Sequence, residues 1–266
     1  MEATLGFVIA LAISLTGVGA GSMTTPLLIL LVGVSPATAV GTALTFGAII
    51  KVASVPGYAW RRQINVSVLC LLLAGGVPGV LGGSLLLDRV KHGPYQALLY
   101  TALGSLIVLS AGFHLFRMFR PKRDDGGTDR SQWLPWFALP IGAEVGFSSA
   151  GAGALGSLLL LGFTRLAPAE VVGTDLCFGL VLSAIGSFIQ VGAGNYDPAL
   201  LLRLLVGGFC GAFAGSLLSG RIAQRPLRVG LLLVLIGLGS QLALHGSSKP
   251  QPIQIRAALD KLQSRN

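Results

Sequence analysis

The chain has 266 residues, of which 53% are hydrophobic and 11% are charged, and its mean hydropathy is +0.77. Soluble domains carry about 25% charged residues, so the composition excludes an ordinary soluble domain and predicts a membrane protein. The net charge of +9 does not indicate a nucleic-acid partner, because the basic residues form short clusters between apolar runs, and such clusters orient a membrane protein. We therefore expect a bilayer, and no nucleic acid, around this chain.

Eight apolar blocks follow one another along the chain, four in each half. A transmembrane helix needs roughly 20 apolar residues. Blocks two to four of each half have that length, whereas the first block of each half is longer and is interrupted by glycines. Asn65 and Asp197-Pro198 precede the third blocks and predict helix starts there. The blocks lie at 5–33, 37–60, 66–87 and 95–116, and then at 133–163, 168–191, 198–220 and 227–245.

The two halves resemble each other at one constant offset. Pro36–Thr42 returns 132 residues later as Pro168–Thr174, with five of the seven positions identical. Gly19-Ala20-Gly21 and Gly151-Ala152-Gly153 match at the same offset. We interpret this as a duplication. The predicted organisation is a first membrane repeat at 1–116, a cytoplasmic linker at 117–132, a second membrane repeat at 133–246 and a polar C-terminal tail at 247–266.

The positive-inside rule gives a topology. If the first block of each half enters and returns on one side, as a re-entrant segment or as two short helices, three full crossings remain in each half. Arg61-Arg62, the linker, Arg165 and the cluster from Arg221 to Arg228 then all face the cytoplasm. An odd number of crossings inverts the second repeat relative to the first. The predicted fold is an all-α polytopic membrane protein with two inverted repeats, an arrangement typical of secondary transporters.

The interruption in each first block is the strongest candidate for a solute site. Irregular backbone within a membrane must be buried in protein or line a cavity, and paired interruptions in corresponding positions of two repeats mark transporter binding sites. Helix N-termini at such breaks bind oxyanions, although two plain turns between packed helices would also explain the pattern. The candidate substrate-binding residues in the breaks are Gly19, Gly21, Ser22, Thr24, Thr25, Ser149, Gly151 and Gly153, with Ser148 as a further donor.

Lys51, Glu144 and Asp175 lie inside apolar blocks, where a charge costs about 2.5–3.5 kcal/mol on the insertion scale. Lys51 is a candidate for attracting an anion; it would otherwise pair with Glu144 or Asp175, or extend towards the membrane surface. Asp175 and Glu144 are candidate proton carriers or, equally, groups that cap and orient the breaks.

The remaining motifs predict packing rather than chemistry. The spacing of Gly75, Gly79 and Gly83, repeated at Gly207, Gly211 and Gly215, predicts close contact between helices. Cys70, Cys177 and Cys210 read as small buried hydrophobic residues. The sequence contains no pattern of a catalytic triad, a nucleotide-binding loop or a metal site. We therefore expect no enzymatic activity, no cofactor and no metal.

At these residues the chain resembles the sulfite exporter TauE/SafE family of membrane permeases. The resemblance rests on Gly17–Ser22 with Pro26, on Pro36–Thr42 and on Gly75–Gly79, and it extends over about 5–245. The family's glycine-rich breaks correspond to Gly19, Gly21, Gly151 and Gly153, and its repeated segment to Gly41-Thr42 and Gly173-Thr174. This chain departs from the family in having Ala20 and Ala152 within the breaks.

The resemblance implies an inner-membrane transporter of small sulfur-containing anions, such as sulfite or organosulfonates, that works without ATP hydrolysis by this chain. We expect the anion to lie near the midplane between the two broken segments, with proton coupling if Asp175 or Glu144 titrates. The alternatives are a carrier of another small anion or metabolite, and a membrane scaffold that transports nothing. Direction of transport and oligomeric state are left open at this point.

Overall fold

The computed structural model describes residues 2–16, 20–91, 96–119, 130–151, 153, 155–218 and 224–247. Gly19, most of the predicted linker and the tail beyond residue 247 lie outside these ranges. The described residues form ten α-helices, which confirms the all-α class. The helices are α1 (Glu2–Thr16), α2 (Ala20–Leu27), α3 (Pro36–Trp60), α4 (Val66–Val90), α5 (Gln96–Phe119), α6 (Leu134–Ser148), α7 (Leu155–Phe163), α8 (Pro168–Gly192), α9 (Pro198–Leu218) and α10 (Gln224–Ser247).

Each long first block consists of two helices. In the first half α1 ends at Thr16 and α2 begins at Ala20, so Gly21, Ser22, Thr24 and Thr25 of the predicted break lie inside a helix. α2 continues into a π-helical turn, Leu28–Val32, that ends at Gly33 with φ of 75°. In the second half the corresponding helices are α6 and α7. The first block of each half is therefore divided into a 15-residue helix and a shorter one. Among the described residues, the irregular backbone lies in the second half, at Ser149, Gly151 and Gly153.

The helices recur at the offset found in the sequence. α1 begins at residue 2 and α6 at 134, and α3 and α8, both 25 residues long, begin at 36 and 168. Both differences equal 132. A proline occupies the first turn of α3 and of α8, where it has no hydrogen bond to lose. Equivalent sequences thus form equivalent helices.

The two halves interlock rather than standing side by side. α1 packs along α9, and α6 packs along α4, so the first helix of each half lies against the third block of the other. α3 packs against its counterpart α8, and α5 against its counterpart α10. Most of the hydrophobic core is therefore made of contacts between halves, and neither half buries its own apolar faces alone.

The predicted helix caps, Asn65 and Asp197, form hydrogen bonds that fix the loops before α4 and α9. The Asn65 side chain accepts a hydrogen bond from Val68 N at 3.1 Å, and Asp197 Oδ1 accepts from Ala199 N and Leu200 N. The backbone N–H of Asn65 in turn donates to Thr174 Oγ1, and that of Asp197 to Thr42 Oγ1. Each threonine of the repeated Gly-Thr pair therefore holds the loop of the opposite half.

The glycine stripes are confirmed as packing surfaces. A Cβ built on Gly79 would lie 2.2 Å from the carbonyl oxygen of Leu139 in α6, and one on Gly211 would lie 2.2 Å from that of Phe7 in α1. Real Cβ atoms do not approach a backbone oxygen this closely. Only glycine allows these helix backbones to touch.

Five helical segments are long and apolar enough to cross a membrane: Pro36–Trp60, Val66–Val90, Leu98–Phe116, Pro168–Gly192 and Pro198–Gly215. Shorter apolar helices are Glu2–Ala12, Gly21–Val32 and Val229–Leu244. The chain is therefore a multi-pass membrane protein. The count of eight hydrophobic segments and their inverted arrangement stay predictions.

The interpretation of the three cysteines as buried residues was wrong. Cys70 and Cys210 are exposed, and Cys177 is half-buried. Apolar side chains are not confined to the interior here, because the outer surface of a membrane protein faces lipid. Position within an apolar run therefore did not distinguish the core from the lipid-facing surface.

We predict that Gly79→Leu will lower the midpoint of thermal unfolding of the detergent-purified protein, because its Cβ meets the α6 backbone. Overpacking of this kind costs about 1–3 kcal/mol. Gly230→Leu on α10 is the matched control, since a Cβ there has nothing within 4 Å. Equal midpoints for the two variants would contradict the packing described for α4 and α6.

Candidate solute site

Helix α2 of the first half contacts the break of the second half directly. Ser149 Oγ donates a hydrogen bond to the carbonyl oxygen of Gly21 at 3.1 Å and accepts one from Thr25 Oγ1. A Cβ on Gly21 would overlap the backbone oxygen of Ser149. The structure therefore brings together three of the residues selected from the sequence, Gly21, Thr25 and Ser149.

The hydroxyls of the breaks are turned into the protein. Thr24 and Thr25 have no exposed surface, and Ser22 and Ser149 are also buried. Ser148 Oγ donates to the carbonyl oxygen of Glu144 at 2.9 Å and accepts from Ala150 N at 3.2 Å, so it supports the end of α6. Buried hydroxyl groups with these partners are suited to a polar solute in an otherwise apolar bundle.

The backbone of the second break is unusual in conformation. Ser149 has φ of 60°, Gly151 has 89° and Gly153 has 99°. Positive φ suits glycine but strains a residue with a side chain. Ser149 has this strained conformation at the point where it contacts Gly21. Strained residues cluster at functional sites. Among the described residues, Arg62 is the other non-glycine with positive φ.

Lys51 lies about 22 Å along α3 from its start, beyond the centre of the helix, and is buried. Its Nζ donates to the carbonyl oxygen of Gly179 at 3.1 Å and to Ser183 Oγ at 2.9 Å, both on α8. The suggestion that Lys51 extends to the membrane surface was wrong, because the ammonium points into the contact between α3 and α8. Within the part of the chain that the structure describes, neither Glu144 nor Asp175 forms an ion pair with it.

Asp175 lies one turn before Gly179 on α8 and is also buried. Its Oδ2 accepts a hydrogen bond from Ser157 Oγ, and its Oδ1 lies over Gly156, where an added Cβ would collide with it. Among the described residues Oδ1 has no hydrogen-bond partner. The carboxylate therefore sits at the first turn of α7, the positive end of that helix.

Glu144, unlike Asp175, faces an apolar cavity. It lies on α6 next to the second break, with Oε2 3.1 Å from the position of a Cβ on Gly151. Its Oε1 is buried without a hydrogen-bond partner among the described residues. The carboxylate also lines a cavity of about 1030 Å³ between α4, α5, α6 and α7. Glu144 is thus beside the break but faces an apolar space.

The two halves supply different chemistry to the centre of the bundle. At the offset of 132, Lys51 corresponds to Ser183, Asp175 to Ala43 and Glu144 to Ala12. The described first half therefore contributes a cation, and the second contributes carboxylates, to a scaffold that is otherwise repeated. The carboxylate at the start of α7 has no counterpart at the start of α2. An anion near the start of α7 would be repelled by Asp175. An anion near the start of α2 would not, because the corresponding residue is Ala43.

Sequence reasoning missed Ser183, Gly179, Ser157 and Gly156, which hold the two buried charges. The repeat itself carried the signal for Ser183, since it is the counterpart of Lys51 and since the paired helices α3 and α8 bring equivalent positions together. Reading the alignment of the halves as a contact map would have found Ser183. Ser157 is the counterpart of Thr25 but contacts Asp175, so the alignment did not indicate its partner.

This arrangement of interlocked helical halves, with two broken segments meeting inside the bundle, is that of a multi-pass membrane transporter. The family model described as Sulfite exporter TauE/SafE matches residues 3–242, nearly the whole chain. The chain belongs to this family. The resemblance inferred from the glycine motifs is confirmed.

Similar proteins carry names that describe transporters. The probable membrane transporter protein YjnA of Bacillus subtilis is 28% identical over 249 residues, which cover 90% of this chain and 97% of that protein. The probable membrane transporter protein YdhB of the same organism is 26% identical over 244 residues, which cover 86% of this chain and 97% of that protein. A probable membrane transporter protein of Xylella fastidiosa is 26% identical over 230 residues, covering 82% of this chain and 84% of the relative. No solved structure matches the chain significantly.

We predict that Gly21→Ala will separate the two breaks and lower the thermal unfolding midpoint, because its Cβ overlaps the carbonyl oxygen of Ser149. The control is Gly57→Ala, where a Cβ has nothing within 4 Å. Unfolding of both variants in the same detergent, followed by intrinsic tryptophan fluorescence, provides the comparison. A Gly21→Ala midpoint no lower than that of Gly57→Ala would refute the direct contact.

Proposed function

We propose that this chain is a secondary transporter of sulfite or a small organosulfonate anion in the cell inner membrane. The observation that carries the proposal is the meeting of the two broken segments inside the bundle, at Gly21, Thr25 and Ser149. The irregular backbone at Ser149 supplies polar groups that lipid cannot. The family model supports transport, and its description, Sulfite exporter, supports the substrate class.

The anion site extends from the breaks towards the buried cation. Lys51 uses two of its three N–H donors on Gly179 and Ser183, which leaves one for a ligand. A compact oxyanion would accept hydrogen bonds from the hydroxyls of Thr24, Thr25, Ser22 and Ser149 once the hydroxyls of Thr25 and Ser149 turn away from their present acceptors. Gly19, Gly151 and Gly153 complete the proposed site by letting the backbone approach the solute.

The duplicated halves provide a means of alternating access. If repeats 1–116 and 133–246 have inverted topology, each outward-facing contact has an inward-facing counterpart, and movement of one interlocked helix pair against the other exposes the site first to one side and then to the other. The interlocked pairs α1 with α9 and α6 with α4 would move as units, because close backbone contact at the glycine stripes resists sliding.

Proton coupling would use the carboxylates of the second half. Asp175 has one oxygen held by Ser157 and the other without a described partner, so it has room for a proton. Asp175 lies on α8, the helix whose Gly179 and Ser183 accept hydrogen bonds from Lys51. A change in the charge of Asp175 would therefore alter the electrostatic potential at an anion bound to that lysine. Glu144, beside the second break, is the other candidate.

The direct test is flux of sulfite into proteoliposomes that contain the purified chain, with and without a pH gradient. We expect saturable flux that a two-carbon sulfonate inhibits more strongly than sulfate does. Saturable flux of another anion, with none of sulfite, would move the assignment to that solute. Folded protein that moves no anion would favour a membrane scaffold.

We predict that Lys51→Met will reduce kcat/KM for anion flux about tenfold or more, because a hydrogen bond to a charged group contributes roughly 1.5–3 kcal/mol. Methionine keeps the length of the side chain and removes the charge. Arg203→Met, which breaks an exposed pair with Glu2, is the control for loss of a cation. Unchanged flux kinetics in Lys51→Met would remove this lysine from the site.

We predict that Asp175→Asn will abolish the response of flux to a pH gradient while exchange of anion for anion persists. Asparagine keeps an oxygen that accepts from Ser157 but carries no titratable proton. Asp88→Asn, at the partly buried pair with Lys91, serves as the control. A normal response to the gradient in Asp175→Asn would assign coupling to another group.

A further inference from the structure

A groove opens on one flank of the bundle, outside the contact between the two breaks. It is the cavity of about 1030 Å³ noted beside Glu144, and helices α4, α5, α6 and α7 line it. Because it is partly closed by these helices and open at one side, we call it the lateral groove. Pockets that bind drug-sized ligands measure about 300–1,000 Å³, so the lateral groove has ample room for a ligand.

The lateral groove is continuous with the apolar outer surface of the protein. At its rim Leu109 is 69% exposed, Phe113 50% and Leu139 45%. On a helix that crosses a membrane these side chains face hydrocarbon. Its inner wall contains Phe147 and Leu159, which are only 8% and 6% exposed. The groove therefore leads from the lipid towards the protein interior.

The length of the lateral groove matches one leaflet. On α5 its lining runs from Ala102 to Phe113, and on α6 from Phe137 to Phe147. At 1.5 Å per residue these stretches measure about 15–17 Å along the helices. Half of a hydrocarbon core of roughly 30 Å is about 15 Å. A chain of the length found in one leaflet would fill the groove from end to end.

The chemistry of the lining disfavours a small hydrophilic anion. Ser110 and Glu144 are the polar side chains of the lining, and the remainder is apolar apart from glycine and backbone groups. An anion would lose its hydration there and would face a carboxylate without a compensating cation. Hydrocarbon would lose nothing.

We infer that the lateral groove binds one acyl chain of a membrane phospholipid. The chain enters between α5 and the pair α6 and α7, and its end reaches the wall formed by Phe147 and Leu159. An acyl chain in this position excludes water from the side of Glu144 and fills the space between α5 and the second break. It would have to leave or shift whenever these helices close on one another.

Photolabelling tests this inference on the full chain reconstituted in phosphatidylglycerol and phosphatidylethanolamine vesicles. A small fraction of phosphatidylcholine would carry a diazirine near the end of one acyl chain, and peptide mass spectrometry would locate the label. Bulk lipid reaches Leu233 on α10, which is 56% exposed, but it cannot reach Phe147 or Leu159 unless a chain enters the groove. We expect label at all three residues.

Gly82→Phe is designed to block the lateral groove with a bulky side chain. Gly82 lines the groove, and a Cβ there has nothing within 4 Å. We expect label at Phe147 and Leu159 to be lost in this variant and label at Leu233 to persist. Gly237→Phe on α10 is the control, since a Cβ there also has open space, and it should leave the label at Phe147 unchanged.

Two results would overturn the inference. Label at Leu233 with none at Phe147 or Leu159 in the unmodified protein would mean that no acyl chain enters, and this result needs no variant to fold. Loss of the Phe147 label on addition of hexanesulfonate, with Leu233 still labelled, would assign the groove to the apolar tail of a solute. Sulfite flux has no part in either readout, so this test stands apart from that of the proposed substrate.

Discussion

Lipid offers no hydrogen bonds to a protein backbone, so any interruption of a helix within a membrane must find its partners inside the protein. The second half interrupts its helices at Ser149, and helix α2 of the first half provides hydrogen-bond partners for that residue. Ser149 donates to the carbonyl oxygen of Gly21 and accepts from Thr25. The close approach requires glycine at position 21, and the interlocked packing of α1 with α9 and of α6 with α4 holds the two breaks in place.

Duplication explains the scaffold, whereas the chemistry comes from where the halves differ. The starts of α1, α3 and α4 recur as those of α6, α8 and α9 at an offset of 132 residues, and so do the glycine stripes and the loop anchors. The buried charges do not recur: Lys51 faces its own counterpart, Ser183, and Asp175 occupies a position that is Ala43 in the first half. The repeated scaffold therefore carries its buried cation and its buried carboxylate at positions that have no charged counterpart in the other half.

Much of this organisation could be predicted because membrane helices leave strong signals in sequence. The length of the apolar blocks predicted the long helices, and the caps at Asn65 and Asp197 predicted where α4 and α9 begin. The constant offset predicted that the two halves are equivalent. The partners of Lys51 could not be read in this way, because its hydrogen bonds to Gly179 and Ser183 depend on how α3 crosses α8. The exposure of Cys70 and Cys210 was also hidden, since both the core and the lipid-facing surface are apolar.

The most direct test of the account is disulfide formation between Thr25→Cys and Ser149→Cys in membranes, in a chain whose native cysteines are replaced by alanine. A protease site in the linker separates the halves on a non-reducing gel unless a disulfide joins them. Thr45→Cys with Ser187→Cys, a hydroxyl pair 2.7 Å apart on α3 and α8, is the control pair. We predict rapid joining of both pairs, with a two-carbon sulfonate slowing the first pair alone. Failure of the first pair to join, while the control pair joins, would contradict the claim that the breaks meet to form the solute site.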